Sequence, residues 1–334
     1  MSSSPCLSML TGATGMVLVG GSVAVSGLLA DAPVFTAQSL RYGLAALLLW
    51  AYCRAGGRPI KRPRGSQWGW LLGVTASGLV VFNIALVYGS RHAEPAVLAV
   101  AVACVPVALA LLGPALEGRH PTRQIVVCAV VVSVGAVLVE GVGRADAVGV
   151  LWAVIVFACE AGFTLLAVPV LSSHGPHGVS VHTTWMAAVI FGVVGLVMEG
   201  PTAAVDLDTG AVLAVLYLAV GVTAVAFMLW YSCVVGLGAG RAGLLTGIAP
   251  IAAAGIGMAL TGTAPQPLVW AGIGVIAAGL TLGLRGTVKS ESPCAGDASG
   301  AEALGESAVL PTTIAAPVPD GRLPTNVSHV HLNR

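Results

Sequence analysis

The sequence predicts an all-α membrane protein, with ten transmembrane helices arranged as two inverted five-helix repeats. Three observations predict it. The first is composition. Of 334 residues, 57% are hydrophobic and only 9% charged, where a soluble chain carries about 25% charged residues. A protein core cannot hide so much apolar surface, so lipid must solvate much of it. The second is a row of ten apolar stretches, at roughly 10–29, 33–53, 67–88, 94–113, 124–142, 147–170, 180–198, 210–234, 242–260 and 267–284. Each is near the ~20 residues a helix needs to cross the hydrocarbon layer, where only a helix satisfies its own backbone groups. The third is an internal repeat. Residues 106–138 laid on 250–282, an offset of 144, match at eleven of 33 positions. Composition alone would give roughly three or four. The matches include Pro106/Pro250, Gly113/Gly257, Gly118/Gly262, Pro121/Pro265 and Gly135/Gly279, residue types that fix backbone geometry.

Five spans fit inside one offset. An odd number of crossings turns the second copy over, and such halves enclose a site near mid-membrane. The chain divides into a short cytoplasmic N-terminus (1–9), a first repeat (10–142, spans 1–5), a second repeat (147–285, spans 6–10) and a tail (286–334). The tail is rich in Ser, Ala, Gly, Pro and acids, without apolar period, and reads as disordered. Lys and Arg orient the spans. With the N-terminus in the cytoplasm, the inward loops hold Arg54, Arg58, Lys61, Arg62, Arg64, Arg119, Arg123 and Arg241, and Arg285 and Lys289 follow the last span. The outward loops hold only Arg91 and Arg144. This bias puts both termini in the cytoplasm, with the chain in the cell (plasma or inner) membrane. It also explains the 54–64 cluster as a topology signal rather than a nucleic-acid patch. No Lys or Arg precedes the first apolar run, so it reads as a permanent span, although Ala30-Asp31-Ala32 weakly mimics a cleavage site.

Several patterns point away from other chemistry. Cys6, Cys53, Cys104, Cys128, Cys159, Cys233 and Cys294 form no C-x-x-C pair and stand mostly in apolar spans; they read as small hydrophobes, implying neither disulfides nor zinc. Gly236-x-Gly238-x-Gly240, Gly255-x-Gly257 and Gly279-x-x-x-Gly283 read as helix-packing sites, and no phosphate-loop motif suggests ATP as an energy source. Asn326-Val327-Ser328 matches a glycosylation acceptor but falls on the cytoplasmic side.

The stretch from Arg91 through Pro121, RHAEPAVLAVAVACVPVALALLGPALEGRHP, joins a small-residue turn, an apolar helix with a central Pro and a charged turn before a Gly-containing helix. It resembles the end of the first repeat in EamA-type proteins of the drug/metabolite transporter superfamily. GLGAGRAGLLTGIAPIAAAGIGMALTGTAPQP, from Gly236, resembles the matching part of the second repeat, and Leu40-Arg41-Tyr42 the Arg-containing second helix. Where the family often reads Gly-Glu-Arg, this chain has Glu117-Gly118-Arg119 and Thr261-Gly262-Thr263, turns read as structural. The resemblance implies a permease that exports small metabolites or drug-like compounds without ATP, with a central cavity between spans 1–4 and 6–9.

Within the spans, Glu160 is the sharpest candidate. A carboxyl halfway along span 6 costs at least ~2.5–3.5 kcal/mol to insert, so it faces a cavity or a partner, and it is suited to carry a proton. The bland alternative is a protonated carboxyl bonded between helices. Arg41, about 12 Å deep in span 2 against roughly 20 Å for Glu160, is suited to hold a substrate carboxylate as a fork of donors. It is more readily read as a fixed structural charge, paired or snorkelling outward, with Glu160 within reach as a partner. Asn83 and Gln38 lie at similar depth and join the same candidate wall, or link helices. Trp185, Trp230 and Tyr231 default to interface anchors, with Trp230 and Tyr231 also candidates for the cavity. Pro106 and Pro250 predict kinks at equivalent places in spans 4 and 9, as static bends or as gates. His174, His177 and His182 read as solvated loop residues, with cytoplasmic pH sensing as the sharper reading.

The sequence thus points to a non-enzymatic secondary transporter, an exporter of small metabolites, amino-acid-like or drug-like compounds by alternating access. A passive facilitator or channel stays open as an alternative; a membrane-embedded enzyme would need a nucleophile–base set or metal ligands that no motif supplies. No cofactor or metal is implied. The expected partners are the bilayer, a small-molecule substrate and a coupling proton, with a homodimer left open and no nucleic acid.

Overall fold

The structure, a computed structural model, describes residues 4–29 and 32–288. Lys289, Cys294, Asn326-Val327-Ser328 and the expected tail from residue 289 on lie outside the described residues, as do Ala30 and Asp31, while residues 286–288 of that expected tail are helical. The main helices are α1 (Pro5–Gly21), α2 (Val34–Ala55), α3 (Gln67–Gly89), α4 (Pro95–Leu116), α5 (Arg123–Glu140), α6 (Ala147–Leu165), α7 (Val168–Met198), α8 (Thr209–Leu237), α9 (Ala239–Thr261) and α10 (Pro267–Val288). Eight of them, α3 to α10, are long and apolar enough to cross a membrane. α1 is apolar but shorter, and α2 carries Gln38, Arg41 and Arg54. Among the described residues there is no strand; a single bridge, Ala93 to Ala145, joins two loops.

Local chemistry sets the helix ends. Ser4 accepts a hydrogen bond from the Leu7 N–H ahead of Pro5. Asp146 and Asp208 do the same for Gly149 and Ala211 at α6 and α8. Each satisfies one of the donors that a helix start leaves without a partner. Gly118 and Gly262, related by the repeat offset, both take positive φ (70° and 66°) just past α4 and α9, the backbone conformation glycine adopts at no cost.

Two boundaries differ from the sequence expectation. α1 starts at Pro5 rather than near residue 10, because proline in a first helical turn loses no hydrogen bond. α6 ends at Leu165, and α7 begins at Val168 and bends at Gly175 (φ 67°) before Pro176. The polar run Ser172 to His177 resembles a loop in sequence. In the fold most of it is a half-buried turn: Ser173 donates to the Val170 carbonyl, and His174 is buried.

Packing follows the repeat. α2 lies along α7 and α5 along α10, and α4 crosses α9. α1 packs on α8 and α9, while α6 packs on α3 and α4. Exchanging the two sets of five helices maps the first three contacts onto themselves and the α1 contacts onto the α6 contacts. The α3 and α8 helices even share an irregularity: each widens to π-helix, over Thr75–Val81 and Leu218–Val225, stretches whose starts lie 143 and whose ends lie 144 residues apart. At the α5–α10 crossing the backbones nearly touch, so a Cβ on Gly135 would stand 2.8 Å from the Ile276 nitrogen and 2.9 Å from the Gly272 oxygen. Close approach at small residues is how helices associate in lipid, where water gives no hydrophobic drive. Outward faces carry apolar side chains such as Leu47 (66% exposed) and Val197 (77%), a surface suited to lipid.

Two carboxylates tie distant segments together. Glu199 accepts from the backbone N–H groups of Phe35 and Thr36 (2.8 and 2.7 Å) and from the Thr36 hydroxyl (2.7 Å), capping α2. Glu117 caps α9 through the Ala239 N–H (2.7 Å) and pairs with Arg119.

Gly135→Leu is expected to force α5 and α10 apart and lower stability by about 1–3 kcal/mol, the usual cost of overpacking. Gly257→Ala, which meets nothing within 4 Å, leaves the thermal midpoint in detergent unchanged or higher. Asp146 supplies a pH test. The Gly149 N–H and then His92 hold its carboxyl below the usual range. A depressed folded value means the contribution is full above the free carboxylate's ~3.9 and is lost as pH falls further. Asp146→Asn should therefore show a smaller fall in midpoint between about pH 5 and pH 3 than the parent chain.

Candidate functional site

Several polar groups inside the helix assembly form one hydrogen-bonded chain across α2, α3 and α8. Arg41 on α2 donates from Nε to the Thr223 hydroxyl of α8 at 2.8 Å, and from Nη1 to Gln38 Oε1 at 3.3 Å. Gln38 donates onward to Asn83 Oδ1 on α3 at 2.9 Å. Asn83 then donates to the Tyr42 hydroxyl at 2.9 Å and to the Leu79 carbonyl at 2.6 Å. The two π stretches make this geometry. In α8 the wide turn presents Thr223; in α3 it includes Leu79, whose carbonyl takes the Asn83 amide. π segments often mark functional sites for this reason. The Arg41 guanidinium also lies 4.9 Å over the Tyr42 ring, which stacks on Phe191 of α7 at 5.8 Å.

Every partner of Arg41 named here is neutral. The ion pair with Glu160 that span depth permits is not formed. Tyr42 interacts electrostatically with both groups. Glu160 on α6 is half-buried and also interacts with the Tyr231 hydroxyl. Among the described residues it has no hydrogen-bond or ion-pair partner. The helix assembly thus holds a carboxyl without a hydrogen-bond or ion-pair partner on α6 and, on α2, a guanidinium held by neutral groups.

The aromatic candidates lie elsewhere. Trp230 (4% exposed) and Tyr231 (0%) are buried in the core rather than anchored at an interface. Trp230 Nε1 donates to the Thr164 hydroxyl at 3.0 Å, and the Tyr231 hydroxyl to the Phe163 carbonyl at 3.2 Å. Both bolt α8 to α6. Pro106 sits just after an interruption of α4 at Cys104, and Pro250 just after a tight turn at Leu245–Gly247 in α9. A missing N–H and a ring clash end the preceding turn there. Two of the three histidines are not solvated: His174 and His182 are buried, while His177 is half-buried. His182 bonds the Lys61 carbonyl through Nε2 (3.0 Å) and receives the Trp185 N–H on Nδ1 (3.3 Å).

One profile, the EamA-like transporter family, matches the chain twice, over residues 7–141 and 147–285. The chain belongs to the EamA-like transporter family. It is similar to an uncharacterized transporter, YetK, of Bacillus subtilis (strain 168), with 29% identity over 255 residues that cover 72% of this chain and 76% of that protein. A crystal structure described only as that of a protein matches with a TM-score of 0.73 at 19% identity, covering 87% of this chain and all of the other; that likeness concerns the fold. The EamA matches break between residues 141 and 147, where α5 gives way to α6.

Sequence reasoning missed Tyr42 and Thr223 in this EamA protein. Both look like ordinary core residues in a span, and only the helix partners reveal their role. Thr223 does fall 144 residues after Leu79, so the repeat pairs the two π-helix positions that serve Arg41 and Asn83.

The Trp230–Thr164 bond should behave as a structural tie. Trp230→Phe and Thr164→Val are each expected to cost about 1–3 kcal/mol by leaving a buried partner unsatisfied. The double variant should cost less than their sum in thermal unfolding. Additive losses would dismiss the bond.

Proposed function

We propose that this protein is a secondary, non-ATP transporter that exports small metabolites, amino-acid-like or drug-like compounds by alternating access. In this reading the two five-helix halves have opposite polarity in the cell membrane, both termini are cytoplasmic, and the halves rock about the seam between them. One observation carries it: Arg41 has only neutral partners and Glu160 has none, although a charge at mid-membrane is costly unless it is used. The exchange-symmetric packing of the helices, membership of the EamA-like family and the bias of Lys and Arg to one set of loops support the same reading.

The roles follow from the chemistry. Arg41 keeps its charge at any physiological pH, so it serves an anionic group on the substrate. Thr223, Gln38 and Asn83 hold the guanidinium until that group arrives. Glu160 is a carboxyl without a fixed partner, so it can gain and lose a proton, or meet a cationic group, as the halves rock.

Glu160→Gln in proteoliposomes should abolish the part of transport driven by a pH gradient while the protein still inserts and folds. Unchanged pH dependence would remove Glu160 from coupling. Arg41→Gln is expected to weaken binding of a carboxylate-bearing substrate by roughly ten- to a hundredfold, from ~1.5–3 kcal/mol per charge-assisted hydrogen bond. Uphill counterflow separates this carrier from a passive facilitator, which shows none.

A further inference from the structure

At the end of the helix assembly that carries the Arg54–Arg64 loop and Arg241 lies a cavity of about 430 Å³ that the transport reading does not use. It is lined by the end of α4, the first turns of α7, the end of α8 and the start of α9. Its chemistry is two-sided. Val168, Leu171, Val234 and Leu237 form apolar walls, while Glu117, Arg119 and Arg241 supply charge. Glu117 is already engaged: one oxygen takes the Ala239 N–H and the other takes Arg119. Arg241 is half-buried, and among the described residues it has no acidic or hydrogen-bond partner. The cavity therefore keeps one uncompensated positive charge against an apolar wall.

That combination calls for a ligand with a single anionic group on an apolar body. The rim selects the source. Val235 lines the cavity and is 58% exposed, and Leu116, beside Glu117, is 46% exposed. Val235 on the lining is thus an apolar group of the kind that faces lipid, and Leu116 is the chain neighbour of the lining Glu117. The cavity lies at helix ends, on the face richest in Lys and Arg, the level at which headgroups sit. Basic pockets between membrane helices on that side hold anionic lipid headgroups.

We propose that this cavity binds the monoanionic phosphodiester headgroup of an anionic phospholipid from the adjacent leaflet, with Arg241 as its ion-pair partner. The acyl chains leave past Val235 and Leu116. Ser172, an exposed hydroxyl on the lining, is placed to donate to a phosphate oxygen. Arg119, held by Glu117, borders the site without adding free charge.

The test is native mass spectrometry of the full chain in detergent, titrated with phosphatidylglycerol, phosphatidylcholine or sn-glycerol 3-phosphate. The expected result is one phosphatidylglycerol retained in preference to phosphatidylcholine. Arg241→Gln should lower its occupancy roughly tenfold, Arg241→Lys should keep most of it, and Arg54→Gln, outside the cavity, should change nothing. Ser172→Trp, which fills the cavity without touching the charge, should also expel the lipid, and it serves should Arg241→Gln misfold. Equal binding of the two lipids, or equal loss in Arg54→Gln, overturns the site. Displacement of the lipid by glycerol 3-phosphate would assign the cavity to a small soluble anion instead and overturn the lipid reading. None of these outcomes bears on Arg41 or Glu160, so transport is tested separately.

Discussion

A guanidinium inside a membrane protein cannot escape its charge by losing a proton. Arg41 therefore dictates what stands around it. Its donors need acceptors, and water is scarce at that depth. Thr223 and Gln38 fill two of the positions, and the Tyr42 ring offers its face to the third side. Each acceptor is itself held: Gln38 by Asn83, and Tyr42 by Asn83 and by stacking on Phe191. Satisfying one charge thus draws α2, α3, α7 and α8 into a fixed register. The π turn of α8 is part of the same requirement, because it places the Thr223 hydroxyl within 2.8 Å of Arg41.

The scaffold is close to symmetric, but its chemistry is not. At the repeat offset of 144, Arg41 corresponds to Trp185, Tyr42 to Met186, Gln38 to His182 and Asn83 to Phe227. Glu160 corresponds to Met16. Backbone features survive duplication: the paired π segments, the positive-φ glycines and the interruptions ahead of Pro106 and Pro250. The charged groups have no charged counterparts, and of the other three only Gln38 meets a polar residue, His182. The chemistry around Arg41 is therefore asymmetric, with a guanidinium on α2 and a carboxyl on α6 that have no charged equivalents at the repeat-related positions.

This split explains how much was legible in the sequence. Helices, their order and the duplication follow from apolar length and glycine or proline spacing, which are local signals. The charges in the spans were legible because each is costly there. What was not legible is pairing across the chain. Glu199 caps α2 from 163 and 164 residues away, and Glu117 caps α9 from 122 residues away; no local pattern announces either. The run Ser172 to His177 shows the opposite failure. Its polarity suggested a loop, yet Ser173 satisfies itself within the turn and His182 finds Lys61 and Trp185. Polar residues mark a loop only when the fold offers them no partner. Counting residues along the spans allowed an Arg41–Glu160 pair, and only the helix partners show that it is not formed.

The strength of the bonds around Arg41 bears on movement. A bond between neutral partners contributes only about 0.5–1.5 kcal/mol net, and one to a charged group about 1.5–3. Thr223 and Gln38 are therefore good enough to hold an unoccupied guanidinium but weaker than a carboxylate would be. An anion entering the seam can displace them at a net gain, and it breaks the link from α2 to α8 as it does so. The link from α2 to α7 is of another kind: Tyr42 and Phe35 both stack on Phe191, contacts that no anion competes for. Occupancy at Arg41 should thus loosen α8 while leaving α2 and α7 together. A ligand shifts a conformational equilibrium only by its difference in affinity for the two states, and here the difference has a physical origin in one exchangeable hydroxyl.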